Sequence, residues 1–220
     1  MELFLDTASV EDIKALNEML RIDGVTTNPT ILTKANKDYM QSIKEIMEIL
    51  SEDQKLFVEV LANTTEDILK EARYINGLRK NTYAKIPVSK EGLKALKILH
   101  DEGGISLATA IFTSTQAYLA AKNGADYLAP YVNRMENYLD GIDETLKLQQ
   151  TIWNNEFESK VVAASFKNVN QVKQLMINDI DAITISPEIC YKMIEHDGTT
   201  SAIKGFEDDW QKAYGKKTLL

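Results

Sequence analysis

Short apolar runs alternate along this chain with longer stretches in which apolar residues return every three or four positions. The short runs are Leu3-Phe4-Leu5, Gly24-Val25-Thr26, Leu56-Phe57-Val58-Glu59-Val60 and Tyr83-Ala84-Lys85-Ile86, followed by Ser106-Leu107-Ala108-Thr109, Tyr127-Leu128-Ala129-Pro130, Val161-Val162-Ala163-Ala164-Ser165 and Ala182-Ile183-Thr184-Ile185. All are of strand length, and most are apolar at consecutive positions, as strands covered on both faces are. Between them, Val10, Ile13, Leu16 and Leu20 share one helical face, as do Leu93, Leu96 and Leu99. Ser9, Thr64 and Ser89 stand at N-cap positions, where a side-chain oxygen can accept an otherwise unpaired N–H of the first helical turn. Eight strands, each followed by a helix, predict a closed (β/α)8 TIM barrel, an α/β fold with a parallel sheet. That fold needs at least about 200 residues, so a chain of 220 leaves little room for insertions. One domain is expected over residues 1–220. After the eighth unit, Ile203, Phe206, Trp210 and Tyr214 recur at helical spacing and predict an extra C-terminal helix in a helical extension over residues 199–220. The barrel does not require this stripe. It is either an ordinary packing face or a surface that docks on another subunit.

Composition narrows the function. Hydrophobic residues make up 44% and charged residues 26%, the balance of an ordinary globular protein. The net charge of −8 repels nucleic acid and anionic membranes, so neither is an expected partner. Cys190 is the only cysteine, which excludes an intrachain disulfide, and His100 and His196 have no metal-ligand spacing, so no metal is expected. The N-terminus carries acidic residues and lacks the basic start and longer apolar run of a secretory signal, and no membrane-length stretch is free of charge. A cytoplasmic enzyme or binding protein is the expectation.

In a (β/α)8 barrel the reacting groups stand at the C-terminal ends of the strands. Asp6 follows strand one, Thr26 and Asn28 follow strand two, Glu59 lies near the end of strand three, and Lys85 sits within strand four. Thr109 ends strand five, Tyr131 follows strand six, and Ser165 ends strand seven. Lys85 is the most informative of these, because desolvation disfavours an ammonium and a free amine attacks carbonyls to form Schiff bases. From its own segment, Lys85 could equally be an edge or snorkelling lysine. A nucleophile, two carboxylates, a phenol and several hydroxyl or amide groups at one rim together supply covalent and acid–base chemistry. Arg134 and Lys167, just beyond strands six and seven, could hold an anion with Ser165 against the acidic field of the whole.

The segments Leu5-Asp6-Thr7-Ala8, Gly24-Val25-Thr26-Thr27-Asn28-Pro29, Ala84-Lys85-Ile86-Pro87-Val88, Ala129-Pro130-Tyr131-Val132-Asn133-Arg134 and Ala163-Ala164-Ser165-Phe166-Lys167 resemble the small transaldolases and fructose 6-phosphate aldolases, in family order over most of the chain. The resemblance implies a class I enzyme that needs no cofactor and forms a Schiff base between Lys85 and the ketone of a ketose phosphate. It implies proton transfer at the C4 hydroxyl by Asp6, a water held by Glu59 and Thr109, a dihydroxyacetone unit oriented by Asn28, Thr26 and Ser165, and a phosphate bound by Arg134, Lys167 and Ser165. Glu59 resembles the transaldolases, whereas Tyr131 resembles the aldolases, which release the dihydroxyacetone unit instead of transferring it. Transaldolase is the first expectation, fructose 6-phosphate aldolase the second, and a non-catalytic sugar-phosphate binding barrel a remote third. The resemblance and the aromatic stripe together imply a ring-based homo-oligomer, up to a decamer of two pentamers.

Overall fold

The computed structural model describes residues 1–34 and 38–219, so Leu220, the end of the expected C-terminal extension, lies outside the described residues. Eight parallel strands close into a barrel in chain order: β1 (Glu2–Asp6), β2 (Gly24–Thr26), β3 (Lys55–Glu59), β4 (Thr82–Pro87), β5 (Ser106–Ile111), β6 (Tyr127–Pro130), β7 (Lys160–Ala163) and β8 (Ala182–Ile185), which pairs back onto β1. The helices are α1 (Val10–Met19), α2 (Pro29–Lys34), α3 (Tyr39–Ile49), α4 (Thr65–Asn76), α5 (Lys90–Asp101), α6 (Ser114–Lys122), α7 (Val132–Met135), α8 (Gly141–Asn154), α9 (Val169–Met176), α10 (Pro187–Ile194) and α11 (Asp197–Tyr214). All eight expected strands form, with small shifts at their ends: β3 closes at Glu59 instead of Val60, and β7 at Ala163 instead of Ser165. Ser9, Thr64 and Ser89 cap α1, α4 and α5 by accepting from the N–H groups of Asp12, Asp67 and Gly92.

The two-residue period of each strand divides its side chains between two cores. Phe4, Phe57, Leu107, Tyr127, Ala129, Val162 and Ala182 fill the barrel itself, with Phe4 and Phe57 meeting edge to face at 5.1 Å between ring centroids. Their neighbours, among them Leu5, Val25, Val58, Ile86, Leu128 and Ile183, pack outward against the helices. At Gly24, where φ is +152°, an added Cβ would lie 2.0 Å from the Lys55 carbonyl oxygen, so β2 and β3 approach this closely only without a side chain there.

The N-terminal end of the barrel is closed by charge. Glu2 Oε1 accepts from Lys55 Nζ at 3.0 Å and Lys160 Nζ at 2.9 Å, and Oε2 accepts from the Tyr127 hydroxyl at 2.8 Å. Burial pushes the Glu2 carboxyl up, but the bonds from Lys160, Tyr127 and Lys55 outweigh it and hold the carboxyl below its ordinary value. A depressed carboxyl stabilises the fold above its unfolded pKa, and that contribution is lost as pH falls through its folded value. Glu2→Gln is therefore expected to cost about 2 kcal/mol at neutral pH, roughly 4–8 °C in Tm, and progressively less below pH 4 in thermal melts.

Below this plug, three acids tie neighbouring strands together: Asp23 accepts from Leu3 N–H, Asp126 from Ser106 N–H and Asp181 from Val161 N–H, each at 2.7 or 2.8 Å. Each precedes a strand and pairs with the start of the strand before it, satisfying a backbone donor at the barrel's edge. α11 begins two residues before the expected extension and has no buried residue; Ile203, Phe206 and Tyr214 are exposed, while Trp210 packs on Tyr214 at 4.4 Å. Among the described residues, no helix is long and apolar enough to cross a membrane.

Candidate active site

The strand period that fills the barrel also builds the site above it. Asp6 lies two residues after Phe4, Glu59 two after Phe57, Lys85 two after Tyr83, Thr109 two after Leu107, Tyr131 two after Ala129 and Thr184 two after Ala182. Side chains at this spacing share a face, so groups far apart in sequence converge at the C-terminal mouth. They line a cavity of about 240 Å³ whose wall includes Asp6, Thr26, Asn28, Glu59, Lys85, Tyr131, Arg134, Ser165 and Thr184.

Lys85 is 5% exposed, which removes the edge-strand and snorkelling readings. Its Nζ donates to the Thr27 carbonyl at 3.1 Å and lies 3.2 Å from Glu59 Oε2. Among the described residues, Glu59 Oε2 has no partner other than this ion pair. Burial pulls the ammonium pKa down, but Tyr131, Glu59 and Asp6 together outweigh it and hold Lys85 above its ordinary value. The balance of burial and neighbouring charge thus favours the charged form of Lys85. The Asp6 pKa is also raised, because burial lifts it more than Lys85, the Thr26 hydrogen bond and Arg134 lower it.

The remaining groups are fixed by local backbone devices. Thr26 Oγ1 donates to Asp6 Oδ1 at 2.8 Å. Asn28 Oδ1 accepts from Ile31 N–H at 3.0 Å, the capping pattern at the start of α2, which leaves its amide NH₂ as the group that can donate into the cavity. The register between β5 and β6 shifts between Ala108 and Ile111, with Ala110 in the left-handed region at φ 56°. Such bulges re-aim side chains near functional sites. Here the fully buried Thr109 Oγ1 comes within 3.0 Å of the Tyr131 hydroxyl. Arg134, in the short α7 that follows Tyr131, lays its guanidinium 4.7 Å from the centre of the Tyr131 ring. Ser165, just past β7, holds φ 63°, a conformation costly for a non-glycine residue and concentrated at ligand-binding positions. Its carbonyl accepts from Asn133 N–H at 3.0 Å, which joins the loops after β6 and β7 into one rim.

Nine of the ten residues expected from sequence thus come together, eight on the cavity wall and Thr109 directly behind Tyr131. Lys167 does not join them. It is exposed and absent from the wall, and its backbone N–H donates to Gln171 Oε1 at 2.8 Å. Sequence reasoning missed Thr184, a buried hydroxyl on the wall 2.6 Å from Thr26 Oγ1. The signal was available: Thr184 lies in the eighth strand run and shares parity with Ala182.

The sequence model of the family described as transaldolase/fructose-6-phosphate aldolase matches residues 3–217. The chain belongs to this family. Among solved structures, the fold is similar to the crystal structure of a Coccidioides immitis protein described as a fructose-1,6-biphosphate aldolase, with a TM-score of 0.55 and 12% identity over 84% of this chain and 73% of that one. At that identity the likeness concerns the barrel alone. Family membership supports an aldolase-type enzyme.

Proposed function

We propose that the chain is a transaldolase-type enzyme that moves a dihydroxyacetone unit between ketose and aldose phosphates through a Schiff base on Lys85. The observation that carries this reading is the buried Lys85 amine at 3.2 Å from Glu59, inside a polar cavity at the barrel mouth. Substrate entry displaces water, and the Lys85 proton passes to the Glu59 carboxylate. The neutral amine attacks the C2 carbonyl, and the carbinolamine hydroxyl takes the Glu59 proton and leaves as water. Asp6 then accepts the C4 hydroxyl proton as the C3–C4 bond breaks, its electron pair entering the iminium to give an enamine, and the aldehyde phosphate departs. The enamine attacks an acceptor aldehyde, the new alkoxide recovers the proton from Asp6, and hydrolysis frees Lys85. Arg134 and Ser165, both on the cavity wall, would bind the substrate phosphate, and Lys167, exposed and off the wall, would not.

A second reading, fructose 6-phosphate aldolase, is favoured by the bond between Tyr131 and Thr109, since a phenol so held can position the water that completes imine hydrolysis. A product assay with fructose 6-phosphate separates the two. Transaldolase is expected to form sedoheptulose 7-phosphate only when erythrose 4-phosphate is supplied, and free dihydroxyacetone in its absence would select the aldolase. In both cases borohydride should trap the substrate on the Lys85 peptide, and an unmodified Lys85 under turnover would sink the mechanism. The exposed aromatic stripe of α11 and the family's likeness support a ring-based homo-oligomer, up to a decamer; a monomeric mass in solution would refute it.

A further inference from the structure

We propose that Thr184 is a positioning residue that, through Thr26, orders the Asp6 carboxylate for proton transfer. The proposal rests on the role of Asp6 given above. Thr184 is 3% exposed and Thr26 1%, and their hydroxyl oxygens lie 2.6 Å apart. Thr26 in turn donates to Asp6 Oδ1 at 2.8 Å.

A threonine hydroxyl has one proton. With the Thr26 proton committed to Asp6, the bond between the two threonines has only one possible direction: Thr184 donates and Thr26 accepts. The chain therefore runs from β8 to β2 to β1 and ends on the carboxylate. Each donor in such a series strengthens the next, by roughly 10–30% per bond. Asp6 Oδ1 is occupied by this chain, whereas Oδ2 has no hydrogen bond among the described residues. The arrangement thus fixes the carboxylate plane and reserves Oδ2 for the C4 hydroxyl. During cleavage that hydroxyl's proton moves to Oδ2, and it returns from Oδ2 to the new alkoxide when the acceptor adds. Thr184 gives up no proton at either step.

The charged and titratable groups facing Asp6 are Lys85 on β4, Glu59 on β3, Arg134 on α7 and Tyr131 after β6. None is hydrogen-bonded to Thr184, so replacing it leaves them in place and isolates the hydroxyl chain. Thr184→Val keeps the shape and removes the donor. Thr26 then donates without accepting, and the Asp6 anion loses support.

The test is the pH dependence of kcat for the dihydroxyacetone transfer or release, measured beside borohydride trapping of Lys85. Thr184→Val is expected to lower kcat about 3- to 10-fold and to move the acid limb upward by roughly half a unit to one unit. KM and the yield of trapped Lys85 adduct should change little, because imine formation does not use Asp6. Thr184→Ser should restore the wild-type limb, and Thr184→Ala, which also lacks the hydroxyl, should reproduce the valine effect should the valine variant fold poorly. An unshifted limb in both hydroxyl-less variants overturns the proposal, as does a shifted limb in the serine variant. Loss of trapping in Thr184→Val would also overturn it, by placing the effect at Lys85. Absence of a trapped adduct in the wild-type enzyme is a different failure, that of the Schiff-base reading itself.

Discussion

Replacing Lys85 with methionine is expected to abolish turnover, with a loss on the order of 10⁴- to 10⁶-fold in kcat, as removal of a covalent nucleophile usually costs. The substitution also removes the ammonium that stands 3.2 Å from Glu59 and holds the buried Asp6 carboxyl down. Breaking such a buried pair costs about 3–5 kcal/mol where both carboxylates must remain charged. The pH dependence follows from the direction of the Asp6 shift. Its folded pKa already lies above the ordinary value, and losing Lys85 raises it further. A group whose folded pKa is raised contributes stability below its unfolded pKa, and that stability is lost as pH rises through the folded value. The methionine variant should therefore approach wild-type stability near pH 4 and fall increasingly below it toward neutrality. Urea unfolding at several pH values measures this, and a pH-independent deficit would contradict the charge argument. Retained sugar-phosphate binding with no turnover in either protein would instead favour the non-catalytic barrel.

Asp6→Asn is expected to separate imine formation from bond cleavage. An amide of the same shape still accepts the Thr26 hydrogen bond through its oxygen but cannot take the C4 proton. General acid–base groups contribute about 10²- to 10⁴-fold, and kcat should fall within that range. Borohydride should still trap the substrate on Lys85, because amine attack and dehydration rely on Glu59. A variant that neither turns over nor traps would move Asp6 from proton transfer to substrate placement. Neutralising Asp6 also removes one of the groups that raise the Lys85 pKa, so trapping is expected to reach its maximum at lower pH than in the parent enzyme.

The fold was legible in the chain because parallel strands covered on both faces are mostly apolar at consecutive positions, and all eight short runs became strands. The caps at Ser9, Thr64 and Ser89 were equally legible, since capping is a contact among residues three apart. Asp23, Asp126 and Asp181 were not. In sequence they look like ordinary surface acids in turns, and only barrel closure sets each against the unpaired N–H of a preceding strand. Strand ends were read least accurately at β7, where the left-handed backbone of Ser165 takes it out of the ladder into the loop that faces Asn133.

By itself, the sequence determined the eight strand–helix units, the strand parity that puts a lysine, two carboxylates and several hydroxyls on one face, and the motifs that carry the family. Only the tertiary structure decided the protonation balance of Lys85, because burial and three neighbouring groups act on it in opposite senses and their distances are set by barrel closure. It also decided that Lys167 lies outside the cavity and Thr184 within it. Local pattern fixes the face on which a side chain stands. How near it comes to groups on other strands depends on register and closure, which no short stretch of chain contains.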